Sequence, residues 1–346
     1  MTFRDIIGHR RLVRLLMRAA HAESLPPSLV FAGPEGVGKR QAALALAQAL
    51  NCLSPVTPAD AARDGCGECA ACRKISRGLH PDVIVVEPEG GLIAVDRARD
   101  AAERTAYRPF EGRTRVVVLD DADLMNDAAQ NALLKTLEEP PARNVFVLVT
   151  ARPNILLPTV RSRCCLLRFA PLSASDVAAA LAGRHGMSER AAQAAAALGG
   201  GSLGRALRFG AAGGTAARAA AVAALNEAAA ARSVRARLEV GASLLKASAK
   251  KPSTVDRGGK GQSDRASLAA CLRAMETLLR DLAVLTTRAP EAALVNLDLR
   301  AELEPLARRY DRGRLGHAFS AVGRSLLALE RNASPKIVVD WLALQL

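Results

Sequence analysis

The stretch "GPEGVGKR", Gly33 to Arg40, has the spacing of a phosphate-binding loop, Gly-x-x-x-x-Gly-Lys, whose amides and lysine hold phosphates. The pattern asks next for a serine or threonine, the hydroxyl that coordinates Mg²⁺. This chain has Arg40 there. Gly33, Gly38 and Lys39 can still cradle a phosphate or hold the loop's shape, while Arg40 brings a fixed cation into some of the metal's space. Downstream, "RVVVLDDADLM" is an apolar run ending in Asp120 and Asp121. The first acid is placed to hold the hydration shell of Mg²⁺. The second stands where a glutamate normally polarises attacking water. Asp121 is one methylene shorter, and a misplacement of that size can lower a rate about 10²-fold.

A second constellation is made of cysteines. Cys66, Cys69 and Cys72 follow one another at two-residue intervals in "CGECAAC", and Cys52 lies upstream in "ALNCLSP". Four thiolates suit a closed, tetrahedral and therefore structural zinc site. In a cytosolic protein such spacing points to metal rather than disulfides. Free buried cysteines are the bland alternative, and four clustered within an α/β region fit it poorly. Cys164, Cys165 and Cys271 are expected to be ordinary packed residues.

Those residues need a frame to position them. "SLVFAG", "DVIVVEP", "RVVVLDD", "NVFVLVTA" and "CCLLRFAPL" are apolar runs separated by helical stretches. Continuous apolar strands of this kind belong to a parallel sheet buried on both faces. The expectation is an α/β domain over residues 1–170, a five-stranded parallel sheet with a cysteine module inserted at about 52–78. After "APLSASD", where Ser173 or Ser175 would cap a helix, a small helical domain spans 171–210. An all-helical domain spans 211–346, with a polar, disordered loop over about 248–267 ("SAKKPSTVDRGGKGQSDRAS") joining two of its helices.

Composition limits the partners. Half of the 346 residues are hydrophobic but only 3% are aromatic, so alanine and leucine do the packing. No apolar run approaches the roughly 20 residues of a bilayer span, and the opening "MTFRDIIGHRR" has no secretory core, which leads to the expectation of a cytoplasmic protein. The net charge is +14, unevenly spread: 23 basic against 19 acidic residues up to position 170, then 25 against 15. Such a balance suits an anionic partner, nucleic acid above all, read without sequence preference. An arginine-rich composition from a GC-rich genome would produce the same balance.

"NDAAQNALLKTLEEPP" and "FVLVTARPNILLPTVRSRCCLLRF" together resemble the AAA+ subunits of the bacterial replicative clamp loader. The "GCGECAACRKI" insertion after "ALNC" is similar to that family's zinc module. The opening "IIGHRRLVRLLMRAAHAESLPPSLVFAGPEGVGK" and closing "NASPKIVVDWLALQL" resemble one member in particular, other than the motor subunit. The resemblance runs from end to end, its most specific motifs lying in residues 6–171.

It implies an AAA+ domain with zinc module, a helical lid and a helical collar that joins a hetero-pentameric ring with gamma/tau ATPase and delta subunits, acting on a sliding clamp and primer-template DNA. It also implies that this chain does not hydrolyse ATP and binds ATP/Mg²⁺ weakly or not at all. The motor keeps Gly-Lys-Thr, Asp-Glu and a lid Gly-Ser-x-Arg; here Arg40, Asp121 and Gly204 occupy the altered places, and Arg205 lies one residue late, about 100° around a helix. Thr150, closing the "NVFVLVT" run, completes the degenerate nucleotide-side set. Ser162-Arg163-Cys164 is intact, and in the family this arginine reaches a neighbour's ATP in trans, a task suited to a planar, permanently charged guanidinium. A surface ion pair is the plainer role for Arg163. The rival readings are a gamma/tau-like ATPase with tolerated departures and a stand-alone zinc-containing DNA-binding protein.

Overall fold

A computed structural model describes residues 2–57, 62–210, 212–249, 260–287, 294, 296–331 and 333–346. Five strands, β1 (Ser28–Ala32), β2 (Val83–Val86), β3 (Arg115–Leu119), β4 (Asn144–Thr150) and β5 (Cys165–Arg168), form one parallel sheet in the order β2-β3-β4-β1-β5. Side chains alternate across it. Leu29, Phe31, Val116, Val118, Val145 and Val147 feed a core on one face; Val30, Val117, Leu119, Phe146 and Leu148 feed another on the opposite face. This two-sided burial is why those runs are apolar without alternation.

The first core is closed by α1 (Arg10–His21) and the alanine-rich α2 (Lys39–Asn51), the second by α4 (Val95–Arg104) and α5 (Asp127–Glu138). A short α3 (Ala70–Ser76) belongs to the cysteine insertion, and α6 (Pro158–Arg161) precedes the edge strand β5. That edge departs from expectation: Cys165 is exposed and Leu166 is 42% exposed, because β5 pairs only with β1 among the described strands. Cys165 is therefore not a packed residue. Cys164 is half-buried and Cys271 buried, and burial raises both thiols to about 11, with Cys165 adding to the effect on Cys164.

Helical chain follows: α7 (Ala174–His185), capped by Ser173 through the Asp176 N–H, then α8 (Glu189–Gly199), α9 (Leu203–Gly210), α10 (Ala212–Ala230), α11 (Val234–Ala249), α12 (Lys260–Thr286), α13 (Arg300–Ala307), α14 (Arg312–Glu330) and α15 (Pro335–Gln345). Two compact units result. One holds Met1–Ala180 with Gly201–Gly204, the other Leu181–Gly200 with Arg205–Leu346. The core of the second is built mainly from α10, α11, α12, α14 and α15, with Leu272, Leu278 and Leu282 of α12 fully buried. The polar stretch expected to be a loop over 248–267 begins inside α11, and Lys260–Ser267 already lies in α12. Its Lys, Gln and Arg residues accept helix readily, and the helix extends cheaply back from its packed section. Residues 250–259 lie outside the described residues. Among the described residues no helix is long and apolar enough to cross a membrane.

Candidate functional site

The ends of parallel strands set the geometry. Register pairs Ala32 with Thr150 and Val86 with Leu119, so Gly33 leaves the sheet beside Thr150, and Glu87 beside Asp120. Clefts outside the carboxyl ends of such strands are where ligands bind in α/β sheets. Gly33, Gly38, Lys39, Asp120, Asp121 and Thr150 thus come from one end of the sheet.

The loop's own groups are turned inward. The Lys39 ammonium donates to the carbonyls of Gly33 (2.7 Å) and Pro34 (2.8 Å). Ser202 Oγ donates to the Glu35 carbonyl at 2.7 Å, and the Gly204 N–H to the Gly36 carbonyl at 3.0 Å. Gly36, at φ +74°, has no room for a Cβ, which would stand 2.5 Å from Ser202 Oγ. Burial lowers the Lys39 pKa, against the pull of Asp121, Asp120, Asp123 and Glu35. Arg205 lies in the other unit, where its guanidinium donates to the Gly200 carbonyl at 3.3 Å.

Arg40 faces the acids. One guanidinium nitrogen lies 3.2 Å from Asp120 and another contacts Glu87. Burial raises the Asp120 pKa while Arg40 opposes it; burial together with Asp120, Asp123 and Glu35 raises that of Asp121. The Thr150 hydroxyl donates to Asp123 at 2.7 Å, and Asp123 also accepts from Arg152 Nε at 2.8 Å. Glu87, Asp123 and Ser202 were not among the residues singled out from sequence. Glu87 had a readable signal, since it ends the strand run preceding the Asp-Asp strand.

The four cysteines meet. Cys52 follows the last residue of α2, Cys69 caps α3 by accepting from the Cys72 N–H, and Gly67 turns between Cys66 and Cys69 at φ +83°. Cys52 and Cys69 sulfurs lie 3.8 Å apart, Cys66 and Cys72 4.0 Å, and all four fall within 4.8 Å of one another. Thiolates at about 2.3 Å from a tetrahedral zinc stand about 3.8 Å apart. The Cys66 N–H points at Cys52 sulfur and the Cys69 N–H at Cys66 sulfur, both at 3.2 Å, as suits thiolate ligands. Burial opposes ionisation at Cys69, but N–H donors from Cys72 and Leu53 help bring that thiol down to about 6; at Cys52 and Cys72 burial prevails and raises the pKa. The cluster could hold a metal ion and its chemistry is consistent with zinc. Beside it the buried Asp64 accepts from the N–H groups of Phe3 (3.0 Å) and Gly65 (2.7 Å), tying the N-terminal segment to the module.

Arg163 follows α6. Its guanidinium donates to Glu138, the last residue of α5, at 2.9 Å and to the Thr159 carbonyl at 3.1 Å. Its side chain is 31% exposed. The "LEEPP" and "SRC" motifs are therefore in direct contact. Nearby, Arg161, Ser162 and Arg168 line an open cavity of about 340 Å³.

Residues 8–173 match the family model described as "DNA polymerase III, delta subunit". Over 149 residues the chain is 42% identical to the DNA polymerase III subunit delta' of Pseudomonas aeruginosa, covering 42% of this chain and 43% of that one. It is 33% identical over 175 residues to subunit tau of Bacillus subtilis, covering 51% and 30%. Each of these matches is to a subunit of DNA polymerase III. They do not single out one subunit, and the chain spans less than half the length of either relative. In shape, a gamma subunit-related protein of Thermotoga maritima overlays at TM-score 0.45 and 16% identity, over 95% of this chain and 98% of that one.

Proposed function

We propose that the chain is a delta-prime-type clamp-loader subunit. It would not hydrolyse ATP itself and would supply Arg163 in trans to a neighbouring gamma/tau ATPase, in a pentameric ring that loads a sliding clamp on primed DNA. The observation that carries this reading is the Arg40 guanidinium lying between Asp120 and Glu87, where a hydrolysing site needs a divalent cation. Lys39 bonded to loop carbonyls and Thr150 bonded to Asp123 support it, because both groups would have to leave those partners to serve a nucleotide.

In trans, Arg163 would exchange a half-exposed carboxylate for a neighbour's phosphate oxygens, a stronger bidentate partner. Partner-supplied arginines contribute about 10³–10⁵ in rate in well-studied GTPases. The test is a reconstituted complex with wild-type or Arg163→Ala subunit at matched assembly. Clamp loading should fall and total ATP hydrolysis should fall partially; equal loading rates would reduce Arg163 to its ion pair with Glu138. The likeness to tau favours a second reading, an ATPase with tolerated departures. ATP turnover by the isolated chain at an ordinary motor's rate would establish it.

A further inference from the structure

The loop between α4 and β3, residues 105–114, is tied by many hydrogen bonds to buried side chains although most of its own side chains face solvent. Buried Asp82 accepts from three of its N–H groups, Phe110 (2.7 Å), Glu111 (2.9 Å) and Gly112 (2.8 Å), and from the Arg115 guanidinium (2.9 Å). Arg115 in turn donates to the carbonyls of Arg104, Tyr107 and Arg108. Asn51 Oδ1 accepts from the N–H groups of Arg113 and Thr114. What this network displays is Tyr107, 75% exposed, and Phe110, 82% exposed, in a chain with only two tyrosines and seven phenylalanines. Two rings left in water cost hydrophobic burial, and fixing the backbone beneath them removes the entropy that docking would otherwise lose.

The surroundings are cationic. Arg108 and Arg113 are exposed on the loop; beside it Arg104 lies 3.9 Å from Asp100 and Glu103 is exposed, while the loop's own acid, Glu111, is taken by Lys74 of α3 at 2.7 Å. That pair brings in α3, where Arg73 and, just after the helix, Arg77 are also exposed. Rings interleaved with guanidinium groups match single-stranded nucleic acid, whose bases stack on aromatic faces while the backbone meets the cations. With Glu111 paired to Lys74, the loop's own cations Arg108 and Arg113 give an apolar protein pocket no added attraction unless that partner is acidic.

We propose that Tyr107 and Phe110 form a stacking platform for unpaired bases, with Arg108 and its neighbours on the phosphates. The inference rests on the proposed function only for the choice of DNA over RNA, and its test needs no partner subunit. Anisotropy of a fluorescein-labelled oligo-dT strand is measured with the isolated full chain across a salt series, beside a duplex of equal length. Loss of stacking is worth about 1–3 kcal/mol per base. Tyr107→Ala with Phe110→Ala should therefore weaken single-strand binding at least about tenfold, 1.4 kcal/mol being a factor of ten. The salt slope should not change, because no charge is removed. Arg108→Gln should instead lower the slope by about 0.7, the value for one phosphate on a single strand. Both rings are exposed, so unchanged thermal melting serves as the folding control.

Equal single-strand affinity of the double variant overturns the proposal. So does a wild type that binds no single strand at low salt, or one whose loss on double substitution is the same for duplex. A double variant that binds oligo-dT normally but is lost from a reconstituted complex would make the loop a protein-docking prong, and that also overturns it. None of these outcomes bears on Arg163.

Discussion

Arg40→Thr restores the hydroxyl of a working phosphate loop and removes the cation between two acids. Asp120 is 14% exposed at its side chain, Arg40 46% and Glu87 50%, so both contacts are partly screened. Half-exposed pairs contribute about 0.5–1 kcal/mol each, and two give about 1–2 kcal/mol. For a unit of this size, a loss of about 1–2 kcal/mol lowers Tm by about 2–8 °C. The deficit has a signature that ordinary loss of packing lacks. With the guanidinium gone, Glu87, Asp120 and Asp121 form an open set of carboxylates, and Mg²⁺ can enter. At 10 mM Mg²⁺ a site of about 1 mM affinity returns about 1.4 kcal/mol.

pH gives an independent check. The Asp120 carboxyl is already raised by burial, and losing Arg40 raises it further. A group whose folded pKa exceeds its unfolded value stabilises at low pH and loses that contribution as pH rises through the folded value. The deficit of Arg40→Thr should therefore shrink toward pH 4 and be full at pH 7. Melting curves of wild type and variant, with EDTA or Mg²⁺ at both pH values, are the assay. A variant that melts with the wild type in EDTA, or that gains no more from Mg²⁺ than the wild type does, refutes the view of Arg40 as the built-in cation. ATP turnover should stay absent in the variant, since Asp121 remains short and Thr150 remains bonded to Asp123.

Cys69→Ser should abolish binding of one zinc equivalent, read by metal analysis, and loosen α3 while leaving the sheet's circular dichroism intact; less than a third of an equivalent in carefully purified wild type would sink the zinc reading. Asp82→Asn should cost about 3 kcal/mol, the lower end for breaking a buried pair, because Arg115 keeps its carbonyl partners; denaturant unfolding measures it. At Asp82 burial alone would raise the pKa, but the N–H groups of Phe110, Gly112 and Glu111 and the Arg115 guanidinium lower it. The stability it contributes is thus present above the ordinary carboxylate range and lost as pH falls below about 4, and the wild type should show an acid-labile component there that Asp82→Asn lacks.

What the sequence made legible followed from constraints that act locally or by period. Strands buried on both faces must be apolar throughout, so β1, β3 and β4 announced themselves, and thiol spacing fixed the cysteine cluster before any fold was known. Exposure at β5 was not legible, because strand order decides which apolar run becomes the edge, and order is a property of the whole sheet. The start of α12 was missed for the opposite reason: its first turns are polar in sequence, so only the packed helix from Leu268 onward explains their conformation. The same division runs through the candidate site. Arg40 was readable as a broken motif, but its meaning depends on Glu87, more than forty residues away, and that partnership exists only because register sets Val86 beside Leu119. A substitution that reads as a lost hydroxyl in one dimension is, in three, a cation supplied to two carboxylates. The acids at the sheet's end still need a counter-charge, and Arg40 supplies one that no chelator removes.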